Sequence, residues 1–278
     1  MDLASEIERN VAAALVEDVG DGDATAPLTA AGKPARASVM CRQDAVVCGQ
    51  PWFDACFRKL DPKVEIRWGV AEGSRVHAGA GVCSLRGEAR ALLAAERSAL
   101  NFLQTLSAVA TATRRLVDAA AGTRAKIMDT RKTLPGLRVA QKYAVRTGGG
   151  ANHRMGLYDA MLIKENHIAA AGGIRQALAA ARKNAAPGVW TQIEVENLDQ
   201  LQEALAAGAT LILLDNMSPD QMREAVRIAG DRAELEASGG ITLDNIRAIA
   251  ETGVHRISSG SLTKDVKAVD FSMRFEEP

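Results

Sequence analysis

Aromatic side chains are scarce in this sequence: 3 Trp, 2 Tyr and 5 Phe in 278 residues. A protein that binds single-stranded nucleic acid by stacking bases on aromatic platforms needs more of them. Net charge is also lacking, since 34 Lys and Arg face 34 Asp and Glu. A balanced chain has no broad attraction for nucleic acid or an anionic membrane surface, so any anionic ligand must be met by a local cluster. No apolar run approaches the ~20 residues that span a bilayer. The beginning, MDLASEIERN, is acidic and has no signal-peptide apolar core, so the expected compartment is the cytoplasm. The 4 cysteines, Cys41, Cys48, Cys56 and Cys83, form no C-x-x-C pair and have no neighbouring histidine. That spacing argues against zinc and assigns them to packing.

What the sequence does have is one concentrated run of cations. From Lys126 to His167 it gathers Lys126, Arg131, Lys132, Arg138, Lys142, Arg146, Arg154 and Lys164, answered by Asp129, Asp159 and Glu165. Gly148-Gly149-Gly150 and His153 lie inside the same run.

The amino-terminal third reads as mixed α and β. Ser5 and Glu8 have the spacing of a capping box, with Ile7, Val11 and Leu15 on one helical face. EDVGDGDATAPLT then breaks the helix. Counted from Asp18, its twelfth position is Thr29 where a calcium loop needs glutamate, so a turn is expected there. ARASVMCR, AVVCG, VEIRWGV and GVCSLRGEA read as strands, followed by a long helix from Ala89 that Arg97 interrupts. On spacing alone Arg97 is a solvated or paired residue.

After Thr123 short apolar segments alternate with amphipathic helices. AKIMDT, AMLIKEN, TQIEVEN, TLILLDN, AELEASGG and VHRISSG are the strands. Strand and helix in alternation imply parallel strands with crossover helices, in a barrel or a doubly wound sheet. Polar residues sit at the carboxyl end of each strand: Asp129, Arg131 and Lys132; Lys164; Glu194 and Glu196; Asp215; Ser238, Gly239 and Gly240; Ser258, Ser259 and Gly260. Six decorated ends favour a barrel, whose active site lies on that face. Glu194 and Glu196 share one face of their strand. Glu196 is nearer the strand's end, and Glu194 is either a site carboxylate or a structural partner for a cation. ASGGI and SSGSL let backbone amides approach a phosphate. No Ser-His-Asp or reactive-cysteine arrangement is present to support covalent acyl transfer. The inventory suits a phosphorylated, strongly anionic substrate with a divalent metal.

The stretches EDVGDGDAT, ERSALNFLQTLS, DTRKTLPGLRVAQKYAV, GGGANHRMGLYDAMLIKENH, IEVENLDQL, LLDNM, EASGG and SGSLT resemble the quinolinate phosphoribosyltransferase family across nearly the whole chain. The resemblance implies an amino-terminal α/β sandwich over 1–108, rejoined by the tail 268–278, and an incomplete parallel α/β barrel over 109–267. It implies transfer of a phosphoribosyl group from phosphoribosyl pyrophosphate to quinolinate, with Mg²⁺ as cofactor and decarboxylation to nicotinate mononucleotide. Arg97, Arg131, His153, Arg154 and Lys164 would meet quinolinate, with Arg97 entering the partner's site in an obligate homodimer. Lys132, Lys164, Glu196 and Asp215 would be catalytic, with Glu196 and Asp215 also serving the metal. Lys132, Glu196, Asp215, Ser238, Gly239, Gly240, Ser259 and Gly260 would hold the phosphoribosyl donor. One departure stands out: Ser259-Gly260-Ser261 replaces the usual Val-Gly-Ala, adding two hydroxyls.

Three other readings remain open at this level. A related phosphoribosyltransferase would take another acceptor. A Schiff-base aldolase would use Lys164 at its strand end. A nucleic-acid module would use the basic run.

Overall fold

The computed structural model describes residues 2–276. They form two compact units, the first made of the residues up to 112 together with 134–149 and those from 265 on, the second of 113–133 and 150–264. The segment 134–149, expected in the barrel, thus belongs to the first unit.

In the first unit, α1 (Leu3–Val19) begins at Asp2, whose carboxylate accepts the Ser5 amide. The cap therefore lies three residues before the Ser5–Glu8 box expected from the sequence. Asp2 and Ser5 have the same spacing relation, and a carboxylate also favours the positive end of the helix dipole. Strands β1 (Pro34–Cys41), β2 (Ala45–Val46), β3 (Glu65–Trp68), β4 (Arg75–Val76) and β5 (Ala80–Glu88) surround α2 (Gln50–Leu60) in sequence, and α3 (Ala89–Ala119) carries the chain into the second unit. The tail returns as β12 (Phe271–Phe275) beside β1, giving an antiparallel sheet of order β12-β1-β5-β3. Ala37, Val39 and Cys41 alternate inward on β1 and meet Trp52, Phe53 and Phe57 of α2 and Leu92, Leu100 and Leu103 of α3. Each such fully buried large side chain contributes about 1.5–3 kcal/mol. The four cysteines are free and buried here, and burial pushes the Cys56 and Cys83 thiols up to about 12. They are packing residues without nucleophilic character.

Helix α4 (Arg138–Thr147) places Ala140, Ala144 and Val145 in the same core. Lys142 is 1% exposed, so Arg138, Lys142 and Arg146 do not form a solvated helix face.

In the second unit the strands are β6 (Lys126–Met128), β7 (Ala160–Ile163), β8 (Trp190–Val195), β9 (Leu211–Asp215), β10 (Glu234–Ser238) and β11 (Arg256–Ser258). All pair in parallel, in the order β6-β11-β10-β9-β8-β7. The edge strands β6 and β7 do not pair with each other, so the sheet is an incomplete barrel. Helices α5 (Glu165–Ala171), α6 (Ile174–Asn184), α7 (Leu198–Ala206), α8 (Pro219–Ala229), α9 (Ile246–Ala250) and α10 (Ser261–Lys264) follow the strands. Local sequence sets these boundaries. Before α8, Ser218 and Gln221 close a reciprocal capping box with Pro219 in the first turn. Ile193, Ile212, Leu214, Leu235 and Ile257 fill the strands' outer layer with Leu201 and Met222. Among the described residues no helix is long and apolar enough to cross a membrane.

Candidate active site

Register brings the decorated strand ends into one row. Asp215 pairs with Ser238 and Ser238 with Ser258, while Ile163 pairs with Ile193, which sets Lys164 beside Glu194. At this carboxyl end a cavity of about 170 Å³ is lined by Thr130, Arg131, Lys132, His153, Arg154, Leu162, Lys164, Glu236, Ser238 and Ser258. Parallel α/β barrels place their chemistry on this face.

The cations are held from several directions. The Lys132 amide donates to Thr130 Oγ1 at 3.0 Å, and its carbonyl accepts from Thr263 Oγ1 at 2.8 Å. Its side chain passes so close to Gly260 that a Cβ there would sit 2.9 Å from Lys132 Cδ. Glycine at 260 thus makes room for the lysine stem. Buried Asp129 accepts the His153 amide at 2.9 Å and the Asn152 side chain, tying the loop after Gly150 to the end of β6. Arg154 follows, its Nη1 donating to the Ala160 carbonyl at 3.0 Å. Burial pushes the Arg154 guanidinium below its ordinary value, and nearby Arg131 pushes it the same way against Asp159. Two guanidinium groups held close together in a partly desolvated cavity wall favour an anion between or beside them.

The carboxylates divide. Lys164 Nζ meets Glu194 Oε2 at 2.9 Å, with Glu194 9% exposed. Glu196 lies beyond the last residue of β8, exposed, its amide held by Gln200. The sequence left Glu194 open between a site carboxylate and a structural partner for a cation, and the structure pairs it with Lys164, which lines the cavity. Asp215 is half-buried and accepts from Asn216 Nδ2 at 2.9 Å. Asn216 has φ 54° and leans over Gly239, where a Cβ would come within 2.1 Å of its Oδ1. Gly239, at φ 101°, is therefore required by both its backbone and its neighbour. Gly240 continues the turn and accepts from Asn245. Ser259 and Ser261, the two added hydroxyls, lie 2.7 Å apart and hydrogen-bond each other, and Ser259 is 3% exposed. Each of the two hydroxyls thus has the other as a partner.

The structure thus brings Arg131, Lys132, His153, Arg154, Lys164 and Ser238 to one cavity, with Asp215, Gly239, Gly240, Ser259 and Gly260 at the same strand ends. Arg97 lies exposed on α3 in the first unit. Sequence reasoning passed over Glu236 and Gln192, both fully buried. Their signal was the alternation Gln192-Glu194 on β8 and Glu236-Ser238 on β10, which puts polar side chains on the lumen face one layer below the strand ends.

An incomplete α/β barrel with cations, carboxylates and small-residue turns at its carboxyl end, continuous in sequence with an antiparallel sheet domain, suits an enzyme of phosphorylated, anionic substrates. Residues 23–107 match the family model of the quinolinate phosphoribosyl transferase N-terminal domain, and residues 109–274 that of its C-terminal domain. The chain belongs to the quinolinate phosphoribosyltransferase family. It is 43% identical over 258 residues to a Bacillus subtilis protein named probable nicotinate-nucleotide pyrophosphorylase (carboxylating), covering 93% of this chain and 89% of that one. It is 38% identical over 283 residues to quinolinate phosphoribosyltransferase (decarboxylating) 1b of Nicotiana tabacum, covering 95% and 80%. The solved nicotinate-nucleotide pyrophosphorylase of Francisella tularensis superposes with a TM-score of 0.95 at 43% identity, over 99% of this chain and 98% of that one.

Proposed function

We infer that this chain transfers the phosphoribosyl group of phosphoribosyl pyrophosphate to quinolinate and releases carbon dioxide, forming nicotinate mononucleotide and pyrophosphate in NAD biosynthesis. The observation that carries the reading is the convergence of Arg131, Lys132, Arg154 and Lys164 on one cavity in a protein without net charge. Quinolinate is a dianion and its co-substrate carries several more charges, so binding both needs this local excess.

The chemistry requires no protein nucleophile. The pyridine nitrogen forms a bond to the anomeric carbon as the bond to pyrophosphate breaks, and the leaving group departs with the electron pair. Positive charge grows on the sugar and negative charge on pyrophosphate. Asp215 suits the first and Lys132 the second. Loss of the ring carboxyl as carbon dioxide then leaves a carbanion beside the quaternised nitrogen, which a proton quenches. Arg131, Arg154 and Lys164 hold the carboxylates in register for both steps. Ser238, Gly239, Gly240 and Gly260 receive the 5′-phosphate, while Ser259 supports that turn through Ser261.

Mg²⁺ is proposed as the cofactor. Among the described residues no group of three or more His, Cys, Asp or Glu is arranged to hold a metal. Asp215, with Glu194 nearby on the lumen face in preference to exposed Glu196, fits an ion that takes one or two protein carboxylates and most of its ligands from substrate phosphates and water. When bound it neutralises charge developing on pyrophosphate. A homodimer in which Arg97 enters the partner's site, and a cytoplasmic location, complete the proposal.

The deciding assay is carbon dioxide release from carboxyl-labelled quinolinate. Release that depends on both phosphoribosyl pyrophosphate and Mg²⁺ supports the reading. Turnover of nicotinate in place of quinolinate, or release without the donor, overturns it.

A further inference from the structure

His153 lies in the cavity wall, and both of its ring nitrogens are engaged by the protein. Nδ1 accepts the Arg154 amide at 2.8 Å, so it carries no proton in this arrangement. The ring proton is then on Nε2, which lies 2.9 Å from Gln192 Oε1. The Gln192 amide is oriented in turn, because its Nε2 donates to Glu236 Oε2 at 3.1 Å. Reversing that amide would set donor against donor at His153 and acceptor against acceptor at Glu236. His153 is 8% exposed and Gln192 and Glu236 are 0%, so water does not compete for these bonds. The imidazole also meets Trp190 edge-on, with centroids 5.1 Å apart. Glu236 Oε1 has no hydrogen-bond partner among the described residues and lies 3.7 Å from His153 Nε2.

A buried carboxylate with an unbonded oxygen is costly, and a hydrophobic pair of the same size would fill this layer at lower cost. What the carboxylate does supply is polarity. A single sequence of donors runs from the Arg154 amide through imidazole and carboxamide to Glu236, and it specifies one tautomer and one ring orientation for His153.

We propose that Glu236 and Gln192 are positioning residues that fix His153 as the Nε2–H tautomer, and that His153 in turn positions Arg154 for the substrate carboxylate. This rests on the proposed function for its substrate, though not for its tautomer. It adds a positioning role to the one implied for His153 by the family resemblance, and it gives Gln192 and Glu236 roles in the site.

The test pairs spectroscopy with kinetics. The chain has 4 histidines, so ring ¹⁵N signals of the folded protein are assignable with His153→Gln as the control. The wild type is expected to show His153 as a single Nε2–H tautomer. Gln192→Leu should release it into a tautomer mixture. The same change should raise KM for quinolinate about tenfold, as lost outer hydrogen bonds do elsewhere. KM for phosphoribosyl pyrophosphate should stay within about twofold, the split expected when only one substrate's seat is disturbed. Glu236→Gln keeps an acceptor oxygen toward Gln192 and should preserve both readouts, while Glu236→Leu should match Gln192→Leu. This second pair carries the test if Gln192→Leu does not fold. An Nδ1–H tautomer in the wild type overturns the proposal. So does an unchanged quinolinate KM in both leucine variants, or an equal rise in the two KM values. A wild type without decarboxylating activity would refute the proposed function, and the ¹⁵N signals would still decide whether the relay exists.

Discussion

At the amino ends of β8 to β11, Arg182, Trp190, Thr210, Glu234 and Arg256 line a hollow of about 550 Å³, against about 170 Å³ at the carboxyl ends. Both ends of the sheet are charged, and neither stands out by size, because a further hollow of about 520 Å³ is lined by Arg131, Arg154 and Lys164. The difference lies in how the charges are used. Arg256 Nη2 meets Glu234 Oε2 at 2.6 Å, and Arg182 is bonded to the Ala207 carbonyl. At the carboxyl end Lys164 has Glu194 and Arg154 has the Ala160 carbonyl, but among the described residues Lys132 makes hydrogen bonds only through its backbone. Cations paired by their own chain need no ligand. An ammonium that its own chain does not pair, as at Lys132, does. Volume does not separate the two ends, and residual charge does.

The sharpest way to break this comparison is to remove a cation from the carboxyl end. Lys164→Ala is expected to lower kcat about 10²- to 10³-fold, the cost typical of a lost electrostatic contact in the transition state. Arg97→Ala should be comparably inactive if it completes a neighbouring site. Mixing the two variants then restores one intact site in each mixed dimer, or about a quarter of wild-type activity after random assortment in a two-fold dimer. Reassembled mixtures that stay inactive would exclude the shared site.

A smaller effect separates the two glutamates of one strand face. Glu194→Gln weakens a half-buried ion pair with Lys164 and should cost about tenfold in kcat/KM, a loss of near ~1.4 kcal/mol. Glu196→Gln, on an exposed carboxylate past the strand, should cost less than about threefold on the same scale. Steady-state kinetics of the two variants side by side decide the matter, and the reverse order would return the site role to Glu196.

That contrast also shows how far the sequence could be read. The alternation of strands and helices after Thr123 located every strand of the parallel sheet, because the period of apolar residues is a local property. The same was true of Arg131, Lys132 and Lys164, which follow directly on apolar runs. Choosing between Glu194 and Glu196 needed the end of β8 and the position of Lys164 on the neighbouring strand, which is a matter of register. Gln192 and Glu236 were passed over because they lie one layer down, where polar residues inside strands resemble ordinary alternation. The cap at Asp2 was displaced to Ser5 because two acceptable capping residues lie three apart. Residues 134–149 were placed in the barrel by the continuous bounds 109–267 that the resemblance implied, yet Ala140, Ala144 and Val145 are core residues of the other unit. A continuous boundary along the chain does not reveal which core an amphipathic helix will join.

The smallest effect lies at the amino end of the sheet, where the charges serve the fold. His255 Nδ1 accepts the Leu235 amide at 3.1 Å, tying β10 to the chain entering β11. Burial pushes its imidazole below the ordinary value, with Arg124 and Arg256 acting in the same direction and Glu234 and Asp231 opposing. A depressed value in the folded state means that the unfolded chain binds the proton more readily. The stabilisation is then present above the unfolded value, near ~6.5, and is lost as pH falls through the folded one. Protonation would also remove the acceptor that the Leu235 amide uses. Thermal unfolding followed from about pH 7.5 down to about pH 5 should therefore show a falling Tm in the wild type. His255→Gln, whose amide oxygen can accept the same bond without titrating, should give a flatter profile. Activity at the upper end of that range should be equal in the two proteins. A pH slope unchanged by the substitution would mean that the amino end of the sheet holds its histidine for shape alone.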